Sequence, residues 1–291
     1  MSDILCIYHG NCADGFTAAW AVYKRFGDAA TFHAGVYGQS EPYVTGKHVI
    51  IVDFSYKREV LLKMAKAAKS LLVLDHHKSA FEDLGDFPKP IVPNNWDAHL
   101  SDCGGAVNDG TDPSLPRVVF DMDRSGAMIA WQYFFPNDLV PRLVEHVQDR
   151  DLWKFALPQT REIQACVFSH AYTFENWDML ASADIAALAT EGAAIERKHH
   201  KDIAELLPVT KQRMVIGGYD VPVANLPYTM ASDAAGQMAE GELFAACYYD
   251  TPDGRVFSLR SRGDFDVSAI AKQYGGGGHK NAAGFKKARY S

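Results

Sequence analysis

Short apolar runs alternate with amphipathic stretches over the first half of the chain. "ILCIY" (4–8), "ATFHAGV" (30–36), "HVIIVDF" (48–54), "LLVLDHH" (71–77) and "RVVFD" (117–121) predict strands. "DGFTAAWAVYKRFG" (14–27), ending at Gly27, and "KREVLLKMAKAAK" (57–69) predict helices, as do residues 125–135 and 139–148. Strands that alternate with helices imply a parallel sheet. Apolar runs without alternation fit strands buried on both faces. Residues 93–116 read as a long polar loop, of a length that in compact domains is often functional.

The stretch 181–207 is Ala-rich and helical, and Pro208 is expected to close it. Beyond it the texture changes. "KQRMVIG" and "YDVPVANL" read as a hairpin about Gly217-Gly218, and "LFAACYYD" and "VFSLRS" as a second hairpin about "TPDGR". Two helices, "TMASDAAGQMAEG" and "DVSAIAKQYG", complete this part. The expectation is an α/β chain in three segments: a parallel-sheet domain over 1–180, a helical connector over 181–208, and a smaller mixed α/β domain over 209–291.

The chain has 291 residues, enough for a sizeable core in one large domain or two ordinary ones. No run approaches the roughly 18 apolar residues of a membrane span. The start, "MSDILCIYHG", lacks the basic flank and long apolar stretch of a signal peptide, so the expected location is cytoplasmic. Five scattered cysteines (Cys6, Cys12, Cys103, Cys166, Cys247) with no CxxC spacing argue against a disulfide framework and a thiolate zinc cage. The net charge is −7 and the pI about 5.9, so no long nucleic acid or membrane partner is expected. A small anionic substrate stays compatible, because bound cations would offset a local acidic cluster.

Three apolar runs end on metal-ligand residue types. "ILCIY" leads to His9, "VIIV" to Asp53, and "LLVL" to Asp75, His76 and His77. In an open parallel sheet, ligands bind outside the carboxyl ends of the strands. Parallel pairing would therefore gather His9, Asp14, Asp53, Asp75, His76 and His77 in one place. Imidazole and carboxylate together suit ions such as manganese. Several carboxylates suit two ions about 3.5–4 Å apart, as in phosphoryl hydrolysis. So many acids in one place would repel one another without a cation.

"YHGNCADGFTAAW", "IVDFSY", "DHHKSA" and "GGGGHKNAAGF" occur in that order and together resemble the motifs of the DHH phosphoesterase superfamily, in its branch with a DHHA1 second domain. Members of that superfamily include nanoRNases, single-strand exonucleases, cyclic-dinucleotide phosphodiesterases and exopolyphosphatase-like proteins, and typically hold two manganese ions. The resemblance implies metal ligation by His9, Asp14, Asp53, Asp75 and His77, with Asp53 bridging two ions and Asp75, His76 and Asp53 in the catalytic group. It implies one more Asp from "EHVQDRDLW", either Asp149 or Asp151, with Asp149 favoured. One of His76 and His77 would stand behind the ligands rather than on a metal. The first motif departs from the usual pattern, because its spacing is one residue shorter and Cys12 stands where an Asp is expected. Cys12 would either ligate as a thiolate, favouring a softer ion, or sit neutral beside the site.

The second chemical motif, "GGGGHKNAAGF", matches the DHHA1 glycine loop. The resemblance implies that Gly276, Gly277, Gly278 and His279 hold the substrate's phosphate and terminal nucleoside, with Arg260 as a phosphate clamp. Ser125-Gly126 offers either a helix N-terminus for phosphate or an ordinary cap. His199 and His200 are expected to be solvated, and the aromatics around Trp153 to be core. The implied activity is hydrolysis of short oligonucleotides to mononucleotides by metal-activated water. Two Mn2+ ions are the expected cofactors, with Mg2+, Co2+ or a softer ion as substitutes. A short oligonucleotide or another small phosphate ester is the expected substrate, and a homodimer is compatible. The alternatives are an exopolyphosphatase-like or dinucleotide phosphodiesterase activity, or a non-catalytic nucleotide sensor.

Overall fold

The computed structural model describes residues 3–103, 112 and 114–288, which divide into two compact units, Met1–Ile195 and Glu196–Ser291. In the first unit the chain runs through β1 (Ile4–His9), α1 (Ala13–Phe26), β2 (Ala30–Gly35), β3 (His48–Val52), α2 (Arg58–Ala67), β4 (Ser70–Asp75), α3 (Lys78–Leu84), α4 (Trp96–Cys103) and β5 (Arg117–Phe120). Helices α5 (Gly126–Phe134), α6 (Arg142–Asp151), α7 (Thr160–Ser169) and α8 (Phe174–Ser182) follow, and α9 (Ile185–Thr210) runs on into the second unit.

The five strands form one sheet in the order β2-β1-β3-β4-β5, with every pairing parallel. The unbroken apolar runs are explained by burial on both faces. In β4, Leu72 and Leu74 enter a core with α1, α5, α6, α7 and α8, whereas Leu71 and Val73 enter a second core with α2. The order places β1 between β2 and β3, so the chain leaves β1 to one side and returns to the other. The carboxyl ends of β1 and β3 flank that reversal, where open α/β sheets bind their ligands.

The expected loop over 93–116 is in part a helix. Asn95 Oδ1 accepts from Ala98 N at 2.9 Å to start α4, Trp96 is buried against Phe26 and Phe134, and Asp102 pairs with the buried Arg117. Tertiary burial outweighs the polar composition there. Residues 104–111 and 113 of that stretch lie outside the described residues. Likewise, α9 runs through Pro208 to Thr210 rather than ending at it.

The second unit continues with β6 (Lys211–Ile216), β7 (Tyr219–Asn225), α10 (Tyr228–Met238), β8 (Phe244–Thr251), β9 (Gly254–Ser261), α11 (Val267–Gln273), β10 (Gly277–Gly278) and β11 (Ala282–Ala288). Its sheet has the order β10-β11-β9-β8-β7-β6 and is mixed, because β7 and β8 are parallel while the other pairs are antiparallel. Phe244, Ala246 and Tyr248 of β8 pack on the α11 side, and Ala245 and Cys247 on the α10 side.

Candidate metal centre

The carboxyl ends of β1, β3 and β4 lie side by side and carry the chemistry. His9 is the last residue of β1, Asp53 follows β3, and Asp75 ends β4 with His76 and His77 next. Asp14 comes from the first turn of α1. The His9 Nδ1 and Asp53 Oδ2 atoms are 3.5 Å apart. His76 Nε2 lies 3.0 Å from Asp53 Oδ1 and 3.6 Å from both Asp14 Oδ2 and Asp151 Oδ2. Two trios each offer ligand atoms within 4.8 Å of one another, His9 with Asp53 and His77, and Asp14 with Asp53 and His76. Asp53 belongs to both.

Local backbone features fix this arrangement. Asp53 has φ +53°, and its N–H donates to Leu74 O at 2.9 Å, which turns the side chain at the end of β3. Gly126 opens α5 so close to Asp53 that a Cβ there would stand 2.4 Å from the Asp53 Cβ. A Cβ on Gly15 would meet His9 O at 2.3 Å, so α1 starts directly against the end of β1. The Asp14 carboxylate accepts from Gly126 N (2.7 Å) and Ala127 N (3.1 Å), while Ser125 Oγ accepts from Met128 N. The α5 N-terminus is thus occupied by protein groups, and Ser125 is an ordinary cap.

Three carboxylates, those of Asp14, Asp53 and Asp151, surround the His76 imidazole. Burial pushes the Asp14 carboxyl well up, and the charges of Asp53 and Asp151 push it further. Burial raises the Asp151 carboxyl too, against the pull of His76. For Asp53, the neighbouring His76 and His9 imidazoles outweigh burial, and its carboxyl is held well below the usual range. His76 is raised well above an ordinary histidine because its contacts with Asp53, Asp151 and Asp14 outweigh burial. His9 Nδ1, Asp53 Oδ2 and Asp151 Oδ2 are buried without a hydrogen-bond partner. Unpaired buried acceptors of this kind are costly. A divalent cation would satisfy them and relieve the repulsion among the acids, and nitrogen and oxygen donors of this kind suit manganese or a similar ion.

The remaining expected residues stand as follows. Asp75 is saturated by protein groups: Oδ1 takes His76 N, His77 N and His77 Nδ1 (2.7 Å), and Oδ2 takes Ser55 Oγ (2.6 Å). It orients His77 and belongs to neither trio. Asp149 does not reach the group. Its Oδ1 accepts from Ala156 N, and its Oδ2 from Leu157 N and Thr160 Oγ1. Asp151 is there instead, because two residues along a helix turn about 200°, so the two aspartates face opposite ways. Cys12 caps α1 beside the site, where burial and the charges of Asp53, Asp151 and Asp14 push its thiol well up. Sequence reasoning missed Ser55, although "IVDFSY" contains it. It also missed Tyr37, whose ring centroid lies 5.4 Å from that of His9; Tyr37 follows β2, the neighbour of β1.

In the second unit, Arg260 extends from β9 to Ser232 Oγ on α10 (Nη2 at 2.7 Å) and also bonds Ser258 Oγ and Leu259 O. Gly277 and Gly278 pair with Gly284 and Ala283 of β11. The Gly276 and His279 N–H groups donate to Ala271 O and Ala282 O, so the glycine loop is folded onto its own unit. His199 is half-buried and bonds Asp233 at 3.1 Å, rather than being solvated.

Comparison with known sequences adds to this geometry. Residues 228–288 match the DHHA1 domain family. An uncharacterized protein, R106, of Acanthamoeba polyphaga mimivirus is 28% identical over 304 residues, covering 96% of this chain and 66% of that relative, so the chain spans just under two thirds of its length. Among solved structures, the fold is similar to the pGpG-specific phosphodiesterase PggH of Vibrio cholerae (14% identity, 98% of this chain, 93% of that one, TM-score 0.47). It is also similar to RecJ of Thermus thermophilus in complex with Mn2+ (14% identity, 98% of this chain, 49% of that one, TM-score 0.48).

Proposed function

We propose that this protein is a DHH-type phosphoesterase, a divalent-metal-dependent phosphodiesterase that hydrolyses short oligonucleotides to mononucleotides. The observation that carries the reading is the set of buried, unpartnered ligand atoms at the ends of β1, β3 and α6: His9 Nδ1, Asp53 Oδ2 and Asp151 Oδ2. His9, Asp53 and His77 would hold one cation, and Asp14, Asp53, His76 and Asp151 a second, with Asp53 shared. Divalent cations in such a site acidify water and offset charge on phosphate oxygens. Asp75 holds the His77 ring through Nδ1, and Ser55 holds Asp75. His76 is aimed at the second cation position, its Nε2 lying 3.0 Å from Asp53 Oδ1. The net charge of −7 favours a short substrate over a long polyanion.

The test is a turnover panel with Mn2+ and four substrates: the trinucleotide pApApA, a long single strand, a linear or cyclic dinucleotide, and polyphosphate. Release of AMP from pApApA well ahead of the other products is expected. Preference for polyphosphate or for a dinucleotide would move the assignment to those activities. Binding without turnover would make the protein a sensor.

A further inference from the structure

Helix α6 delivers Asp151 into the metal centre, and the chain then leaves the helix by an uncommon route. Trp153, Phe155 and Gln159 all have positive φ (56°, 48° and 62°), a left-handed conformation that bulky residues seldom adopt. Such strain persists only where the surroundings hold it, and it gathers at functional sites. Asp149 is what holds it. Its main-chain oxygen accepts from Lys154 N and Phe155 N, and its buried carboxylate accepts from Ala156 N, Leu157 N and Thr160 Oγ1.

The outcome of this strain is an aromatic surface rather than a packed core. Trp153 is 37% exposed, and neither it nor Phe155 joins the buried clusters, contrary to the expectation that these aromatics are core. The Arg150 guanidinium lies 4.3 Å from the indole centroid, and Phe155 meets the indole edge-on at 5.0 Å. Arg161 lies 3.7 Å from the Phe155 ring, and Lys154 is exposed between the two aromatics. Three cations and an open indole thus stand within one to ten residues of Asp151 along an acidic chain.

We infer that Trp153, backed by Arg150, is a stacking platform for a nucleobase next to the phosphate bound at the metal centre. Indole and guanidinium planes stack on bases with little regard to sequence. A polyphosphate chain would use the cations and have no use for the indole. This deepens the phosphodiesterase reading and rests on it.

The experiment compares pApApA with its abasic analogue, which has the same phosphodiester backbone, in the wild type, Trp153→Ala and Trp153→Phe with Mn2+, after thermal melts show that the variants fold. Trp153→Ala is expected to raise KM for pApApA by roughly ten- to a hundredfold, far more than for the abasic analogue, and Trp153→Phe is expected to recover most of the loss. An equal effect on both substrates, or no effect on KM, overturns the platform. If the wild type hydrolyses neither, the phosphodiesterase reading fails, and tryptophan fluorescence decides the platform. Quenching by pApApA that is present in the wild type and lost in Trp153→Phe sustains it. The same response in both proteins, or none in either, overturns it.

Discussion

Asp53 is the residue on which the site turns, since it serves both ligand trios from a left-handed backbone position. Its neighbour Gly126 leaves it room. Gly126→Ala is expected to shift Asp53, to cost about 1–3 kcal/mol of stability, and to weaken Mn2+ binding at least tenfold, as calorimetric titration would read. Asp149 and Asp151 separate two roles that the sequence left side by side. Asp151→Asn removes a buried charge from beside Asp14 and Asp53, so the metal-free protein is expected to melt at a higher temperature while Mn2+ binds less tightly. Asp149→Asn is expected to lower the melting temperature, losing about 1–3 kcal/mol through the loop it secures, and to leave Mn2+ affinity little changed. Identical behaviour of the two variants would contradict this division. His9, Asp53 and His76 were legible because each follows an apolar run that could only be a buried strand. The choice between Asp149 and Asp151 was not legible, because it depends on which face of α6 meets the sheet.

Helix α4 shows where an element escaped a reading of polarity. Its reason to exist is tertiary: Asp102 meets Arg117 in a bidentate pair (2.7 and 2.9 Å), both residues nearly inaccessible, and Arg117 also bonds the Asp112 and Leu115 carbonyls. Removing one partner strands a buried charge, so Arg117→Met alone is expected to cost about 3–5 kcal/mol. Arg117→Met combined with Asp102→Leu is expected to cost less, and chemical denaturation of the three proteins checks this. The same helix carries a pH response. Burial lowers the His99 pKa to about 4 from the ordinary 6.5. The unfolded chain therefore takes up the proton first as pH falls, so stability is full above pH 6.5 and declines between 6.5 and 4, by up to about 3 kcal/mol. His99→Gln should flatten the melting temperature across that window; an unchanged slope would place the acid sensitivity elsewhere. The parallel strands and α1 were plain in the sequence because their apolar patterns are local. Helices α7 and α8 were not anticipated, since their buried faces depend on α1 and α5 already being in place.

At the scale of the whole molecule, the chain is an all-parallel five-stranded unit followed by a mixed six-stranded one, the two units dividing after Ile195 within α9. No helix among the described residues is long and apolar enough to cross a membrane. The strand order β1-β3-β4 explains why residues as distant as His9, Asp53 and His77 form one group, and the nature of that group is what gives the molecule its proposed chemistry. The most direct test is AMP release from pApApA by protein stripped of metal and titrated with Mn2+, with bound metal counted alongside. No release at zero metal is expected, with a rise that saturates at two ions per chain and is abolished in Asp53→Ala. Release that survives chelation, or two bound ions with no hydrolysis of any phosphodiester, would contradict a metal-dependent phosphodiesterase.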